Sequence, residues 1–162
     1  MDIRFNYAKA APSGYKAMIG LEQYLHECDV EQPLLHLIKL RASQINGCAF
    51  CIDMHWKDLV ALGEKEQRLY SLDAWRECPY FTDRERTALA WTEALTLITN
   101  GHAPDAVYEQ ARAAFNEKEI SDLTIAVATI NAWNRISISS RTQPGAYRSN
   151  LKPAEKAAAL VG

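Results

Sequence analysis

Strand-like alternation of apolar and polar residues is nearly absent from this chain, and this absence limits its possible folds more than any other sequence feature. Apolar residues instead recur three and four positions apart, and capping signals interrupt them at intervals of roughly 15 residues. Both patterns are typical of amphipathic helices about four turns long. The sequence therefore predicts an all-α fold.

The spacing predicts about seven helices, and local signals mark several of their ends. Thr82 and Glu85 form a capping box, in which a hydroxyl and a carboxylate bind the free amide hydrogens at a helix start, and Asn116 and Glu119 repeat it. The predicted helices cover about 14–27 with Ser13 as its cap, 33–46, 47–62, a solvated helix over 64–74, 82–98, 104–115 and a helix from 116 past 133.

The C-terminal part of the chain gives weaker signals. Ile136 and Ile138 alternate with serines, which fits either a short strand or the end of the last helix, and the lack of a partner strand favours the helix. A turn is expected at 143–145 and a short helix at 153–160. We expect one domain over 1–162, with a core at about 15–140 and a tail, 141–162, that packs on the core or on a partner subunit.

Composition excludes several classes of protein. A chain of 162 residues with 48% hydrophobic residues can bury the core of one domain. The formal charge of -2, without a polybasic stripe, argues against nucleic-acid binding. The N-terminus lacks a signal-peptide pattern, and no apolar run approaches the roughly 18 residues of a membrane span. We therefore expect a cytoplasmic protein that binds neither nucleic acid nor membrane.

The most informative chemical feature is the pair Cys48 and Cys51, followed by His55. On a helix these positions, i, i+3 and i+7, share one face. Cysteines in a first turn meet unpaired amides and the positive end of the helix dipole, which favour a thiolate nucleophile. One cysteine can attack an oxidant while the other resolves the sulfenic acid, and His55 can transfer the proton.

Other interpretations of the pair differ in strength. A Cys2His zinc site would need a further ligand, such as Cys28, Cys78 or another histidine, and two buried inert cysteines are also conceivable. Haem attachment would require histidine directly after Cys51, where Ile52 stands, and a thioredoxin-like fold would require strands around the motif. Zinc binding and inert packing stay open as alternatives at this point.

The motif also carries a family resemblance. Residues 39–55 read KLRASQINGCAFCIDMH, and this stretch resembles the signature of the carboxymuconolactone decarboxylase and AhpD-like alkylhydroperoxidase superfamily. The resemblance extends to 15–22, 81–90 and 131–135, so that it covers about 15–140. It implies an AhpD-like helical bundle that assembles into homo-oligomers, as dimers, trimers or hexamers, and a peroxidase without cofactor or metal.

The resemblance also implies roles for individual residues. Cys51 would attack an organic hydroperoxide or hydrogen peroxide, Cys48 would resolve the product, and His55 would join a proton relay. An external dithiol, on a lipoyl-bearing or thioredoxin-like protein, would then reduce the disulfide. The family's relay glutamate, twelve residues before the first cysteine, is replaced here by His36, which either substitutes for it or leaves the relay broken.

Two further residues could compensate for this departure, and two other functions stay open. Glu22 or Glu93 could take the role of the missing glutamate. The chain could instead be a carboxymuconolactone decarboxylase, although that branch generally does not use a CxxC pair, or a non-catalytic redox-responsive oligomer.

The remaining reactive or aromatic residues are assigned structural roles. Cys28 and Cys78 are expected to be buried or incidental thiols, His26 and His102 surface residues, Asp53 a helix-stabilising carboxylate facing away from the thiols, and Trp56, Trp75, Trp91 and Trp133 core residues.

Overall fold

A computed structural model describes residues 2–152, and within that range the chain forms α-helices and no strand, which confirms the all-α prediction. The described helices pack into one bundle. Their bounds are α1 Tyr7–Ala10, α2 Pro12–Glu27, α3 Gln32–Asn46, α4 Ala49–Ala61, α5 Glu66–Tyr70, α6 Asp83–Thr96, α7 Asp105–Ala114 and α8 Glu117–Ser140, with a 3-10 turn at Leu72–Ala74.

Helix α3 lies at the centre of the bundle, where it contacts α4, α6 and α8. Its sequence explains this position, since apolar side chains occupy nearly all of its faces. Leu35, Leu37, Ile38 and Leu40 are fully buried, and burial of each such side chain stabilises the fold by about 1.5–3 kcal/mol. The residues of α3 that carry polar groups are therefore held in a rigid environment.

The predicted capping signals act as expected. The Thr82 hydroxyl accepts the Glu85 amide hydrogen while the Glu85 carboxylate accepts the Thr82 amide hydrogen, and Asn116 and Glu119 repeat this exchange at the start of α8. Gly47 ends α3 in the left-handed conformation (φ 69°), and its amide bonds to the Gln44 carbonyl. This glycine turn lets α4 begin immediately afterwards, at the cysteine motif.

Three local predictions differ from the structure. Ser13 does not cap α2, because Pro12, whose fixed φ suits a first helical turn, begins the helix two positions earlier than predicted, after Ala11. Helix α1 has only one turn, too short to show periodicity, and was not predicted. The predicted solvated helix over 64–74 is divided into α5 and the 3-10 turn, and Leu69 and Leu72 within it are fully buried.

At the end of α8 the helical interpretation is confirmed, because Ile136 and Ile138 both lie within the helix. The short helix predicted at 153–160 lies outside the described residues. None of the helices within 2–152 combines the length and the apolar character needed to cross a membrane.

The segment after α8 runs back along α4 and is tied to it by polar contacts. Lys57 donates to the backbone carbonyls of Gly145 and Tyr147, each at 3.2 Å. The Asp53 carboxylate accepts from Lys57 and, at 3.0 Å, from the amide of Gly145. Asp53 thus binds this segment, which we call the C-terminal strap (residues 142–152), instead of serving helix electrostatics alone.

Candidate active site

The two motif cysteines lie at the start of α4 and form a disulfide. Cys48 is the N-cap residue, Cys51 follows in the first turn, and their Cα atoms are 5.3 Å apart. Both side chains are buried, and they pack with Ala42, Ile130 and Trp133. The helix start therefore holds the sulfur atoms against free amide hydrogens, and Cys48 Sγ accepts from the Cys51 amide at 3.3 Å.

One turn after Cys51, His55 lies on the same face of α4 and is 3% exposed. Its Nδ1 is 3.2 Å from Nδ1 of His36, which projects from α3. Burial lowers the pKa of His55 well below its usual range, and the charge on His36 would lower it further. Burial, together with the Lys39 charge, lowers the pKa of His36 to about 4. Both rings are therefore neutral near pH 7.

The hydrogen bond between the two rings leaves one nitrogen of His55 unpaired. In a neutral pair only one of the two Nδ1 atoms carries the shared proton. When His55 donates it, His55 Nε2 keeps a free lone pair; when His36 donates it, Nε2 carries the proton instead. In both cases Nε2 is buried without a partner. Cys51 lies one turn earlier on the same helix, and both residues line the same cavity.

Sequence reasoning missed two residues of this cluster, Asp58 and Tyr147. Asp58, 3% exposed, lies on α4 with one carboxylate oxygen 3.6 Å from His36 Nδ1. Its other oxygen accepts from the Tyr147 hydroxyl of the C-terminal strap at 2.7 Å. Burial and this bond raise the pKa of Tyr147 to about 12. Asp58 could have been identified from the sequence, because it is an acidic residue three positions after His55 on a predicted helix. No sequence pattern indicated that Tyr147 belongs to the site.

The two glutamates considered as relay substitutes lie in different places. Glu22 lines the cavity beside the histidines, but its carboxylate binds the buried Lys39 ammonium at 2.6 Å and the Trp133 indole at 2.9 Å. Glu93 does not line that cavity; it binds Trp75 and two arginines on the other side of α3. Asp58, not either glutamate, is the carboxylate nearest His36.

A cavity of about 560 Å³ opens onto these groups. Its wall is mostly apolar, and three rings, those of Tyr7, Tyr15 and Trp133, contact one another there at centroid distances of 5.9–6.1 Å. Cys51, His55 and His36 all line it. The cavity can therefore hold an apolar organic molecule next to the cysteine and the two histidines.

The other residues singled out in the sequence take the following places. Trp75 and Trp91 are buried in the core and Trp56 packs against it, as expected, whereas Trp133 forms part of the cavity wall. His102 is exposed, and His26 is exposed at the rim of the cavity. Cys28 and Cys78 are half-buried free thiols that contact the carbonyls of Leu25 and Ser71.

These positions bear on the zinc hypothesis. Within residues 2–152 one group of three His, Cys, Asp or Glu side chains is close enough to share a metal ion, and it consists of His36, His55 and Asp58. Neither Cys28 nor Cys78 belongs to it. The described residues therefore do not assemble the Cys2His site considered from the sequence.

Comparison with known proteins gives related chains of similar length. The uncharacterized protein YdfG of Bacillus subtilis is 44% identical over 138 residues, which cover 85% of this chain and 94% of YdfG. A solved protein of unknown function from Agrobacterium tumefaciens, named as a candidate antioxidant defence protein AhpD, is 45% identical; it matches with a TM-score of 0.87 over 90% of this chain and 100% of its own.

More distant structures share the fold alone. The debrominase Bmp8 superimposes with a TM-score of 0.76 at 16% identity, over 85% of this chain and 74% of its own. The family described as "Carboxymuconolactone decarboxylase family" matches residues 12–94, which include the cysteine motif and both site histidines. Together with the likeness to YdfG and the Agrobacterium protein, this match shows that the chain belongs to the carboxymuconolactone decarboxylase family, in its AhpD-like branch with a CxxC pair.

Proposed function

We propose that this protein is a CxxC-dependent alkylhydroperoxidase in which Cys51 is the nucleophile and Cys48 the resolving thiol. The observation that carries the proposal is the Cys48–Cys51 disulfide at the start of α4, at the wall of a mostly apolar cavity. This pair can store the two electrons that reduction of a hydroperoxide needs. The named relationship of the Agrobacterium protein to antioxidant defence supports the same chemistry.

The reaction proceeds in two steps that balance. The Cys51 thiolate attacks the terminal oxygen of the hydroperoxide; the O–O bond breaks, the alkoxide takes a proton and leaves as an alcohol, and Cys51 becomes a sulfenic acid. The Cys48 thiol, on losing its proton, then attacks the Cys51 sulfur, and the hydroxide leaves as water. An external dithiol, such as one on a lipoyl-bearing or thioredoxin-like protein, reduces the disulfide by exchange.

His55 is the proton carrier in this scheme. Its unpaired Nε2 takes the proton of the Cys51 thiol and returns it to the leaving alkoxide. His36 and Asp58 replace the family's glutamate: Asp58 attracts positive charge on His36, which in turn bonds to His55 Nδ1. The neutral state of the pair favours this role, because a ring that is already protonated could not accept the thiol proton.

Substrate choice follows from the cavity wall. The aromatic rings of Tyr7, Tyr15 and Trp133 favour a hydroperoxide with an apolar or aromatic group over hydrogen peroxide. We further propose that the active protein is a cytoplasmic homo-oligomer, as the family resemblance implies.

The proposal is tested with reduced protein and one equivalent of cumene hydroperoxide. We expect rapid loss of about 2 Da, mapped to Cys48 and Cys51, followed by turnover when dihydrolipoamide is added. The Cys51→Ser variant should lose turnover, and Cys28→Ser, which changes a thiol remote from the disulfide, should retain it. Full activity of Cys51→Ser, or slow thiol loss in the unmodified protein, would contradict the proposal.

A proton-transfer function without the thiols is the second candidate. The observation that favours it is the buried histidine pair with an unpaired nitrogen at the cavity, which could transfer a proton on a bound lactone as a decarboxylase does. Consumption of carboxymuconolactone by the Cys48→Ser, Cys51→Ser double variant would support this function, and failure to consume it would remove the candidate.

A further inference from the structure

The cluster that serves as a relay also has the geometry of a metal site. Two nitrogen or oxygen ligands of a tetrahedral Zn²⁺, each about 2.1 Å from the ion, lie about 3.4 Å apart. Here His36 Nδ1 is 3.2 Å from His55 Nδ1 and 3.6 Å from Asp58 Oδ2. The ligand atoms of the three residues all lie within 4.8 Å of one another.

We propose that Nδ1 of His36, Nδ1 of His55 and Oδ2 of Asp58 bind one divalent transition-metal ion of the Zn²⁺ class, with a fourth position open to the cavity. Two histidines and one carboxylate, with an open position, form a ligand set that Zn²⁺ and related ions accept. Because His55 and Asp58 are three positions apart on one helix, only His36 must be brought from another element, and the central helix α3 supplies it.

The surroundings support the carboxylate as a ligand. Tyr147 holds Asp58 Oδ1 at 2.7 Å and leaves Oδ2 directed toward the histidines. A hydrogen bond of this kind orients a ligating carboxylate in many metal sites.

Other charged groups at the cavity do not prevent binding. The nearest buried cation, Lys39, is paired with Glu22 at 2.6 Å, and the carboxylate offsets part of its repulsion of a bound cation. His26 and Glu27 lie at the cavity rim and are exposed. A small hydrated cation can therefore reach the three ligands through the cavity without meeting an unpaired positive side chain on its wall.

Metal binding goes beyond the proposed peroxidase function and does not depend on it. An ion on Nδ1 of His55 leaves the ring proton on Nε2, so that the loaded protein could not use this nitrogen as a base. The site is therefore examined in the oxidised protein, in which the disulfide prevents Cys48 and Cys51 from ligating. Failure of peroxide turnover and failure of metal binding are then separate results.

The experiment titrates the full oxidised chain with Zn²⁺ by calorimetry and, in parallel, with Co²⁺ by absorption spectroscopy. We expect one ion per chain with a dissociation constant of about 1 μM or tighter, and the intense visible bands of four-coordinate cobalt without thiolate charge transfer. His36→Gln and Asp58→Asn should each weaken binding at least about a hundredfold, and Tyr147→Phe about tenfold. His26→Gln, at the cavity rim, is the matched control and should bind as the unchanged protein does.

Three results would overturn the proposal. They are weak binding of several ions, equal affinity in His36→Gln and in the unchanged protein, and the pale spectrum of six-coordinate cobalt. Helical circular dichroism of each variant shows whether it folds. Should one variant unfold, the cobalt spectrum of the unchanged protein and the other variant still decide the matter.

Discussion

Two polar clusters flank α3, and they are built in opposite ways. On one side, the Glu93 carboxylate accepts from Arg41 at 2.9 Å, from the Trp75 indole at 2.8 Å and from Arg76 at 2.6 Å. On the other side, the Nδ1 atoms of two imidazole rings, His36 and His55, lie 3.2 Å apart, and His55 Nε2 has no partner.

The difference separates a cluster that stabilises the fold from one that leaves a group free to react. Opposite charges and matched donors hold Glu93, so that its contacts contribute to stability. A buried polar atom without a partner instead costs about 1–3 kcal/mol of stability. The bundle retains this cost at His55, where a cysteine pair, a cavity and an unpaired imidazole nitrogen meet. Strain of this kind is typical of functional sites.

The largest expected effect separates activity from stability at His55. In His55→Leu the relay nitrogen is lost, and we expect the rate of thiol oxidation by cumene hydroperoxide to fall about a thousandfold. The free energy of unfolding should change by less than about 1 kcal/mol, because the leucine removes the unpaired Nε2 but also removes the Nδ1 that bonds to His36. Stopped-flow thiol oxidation and urea unfolding measure the two quantities.

His102→Asn, a change at an exposed histidine, is the control for this variant. A His55→Leu protein that oxidises at the normal rate would show that His55 is not the relay. A protein destabilised by more than about 2 kcal/mol would show that the imidazole contributes to the fold after all.

The second prediction concerns Glu93, where we expect stability to fall while peroxide turnover stays nearly unchanged. In Glu93→Gln one charge is removed from a cluster that holds Arg41 and Trp75, and we expect a loss of about 2 kcal/mol in the free energy of unfolding. Peroxide turnover at a temperature where the protein is folded should change less than about twofold. Glu77→Gln, at an exposed position, serves as the matched control in both assays, and a strong loss of turnover in Glu93→Gln would remove the contrast between the clusters.

The same contrast explains which features of the fold and the site could be predicted from the sequence. Helices and caps depend on neighbours in the sequence, so the capping boxes at Thr82 and Asn116 and the helix carrying Cys51 and His55 were predictable. The pairing of His36 with His55 joins two helices, and family spacing, not periodicity, identified His36. Asp58 is three positions after His55 on the same helix, so helical spacing could have predicted that it lies near His55.

The parts that could not be predicted depend on distant or very short segments. Tyr147 meets Asp58 across 89 positions of sequence, and no local pattern encodes that meeting. The single turn of α1, which brings Tyr7 to the cavity, is too short for a periodic signal. The partners of Glu93 come from other parts of the chain and could not be predicted either. Without them, Glu93 could not be distinguished from a relay residue.

The third prediction tests how far the site depends on the C-terminal strap. In Tyr147→Phe the hydroxyl that holds Asp58 is lost, and we expect thiol oxidation to slow about tenfold while stability falls by about 1 kcal/mol. The control is Tyr70→Phe, since Tyr70 is 70% exposed. Peroxide kinetics and urea unfolding of the two variants decide the matter, and equal rates in both would show that the strap only covers the site.

The smallest expected effect is the pH dependence of the Glu93 cluster. Burial raises the pKa of Glu93, but hydrogen bonds from Trp75, Arg76 and Arg41 outweigh it and hold the pKa below its usual value of 4.5. A carboxyl whose pKa is lowered on folding stabilises the protein above its unfolded pKa, and this contribution is lost as the pH falls through the folded pKa. The deficit of Glu93→Gln relative to the unchanged protein should therefore be constant between about pH 6 and 8 and shrink as the pH falls below 4.5 toward about 3.5. Protonated glutamate and glutamine have nearly the same shape and neither carries charge, so urea unfolding curves of the two proteins should approach each other in acid. Curves that stay parallel down to pH 3.5 would show that Glu93 contributes through packing and neutral hydrogen bonds, and the charge-based distinction between the two sides of α3 would then fail.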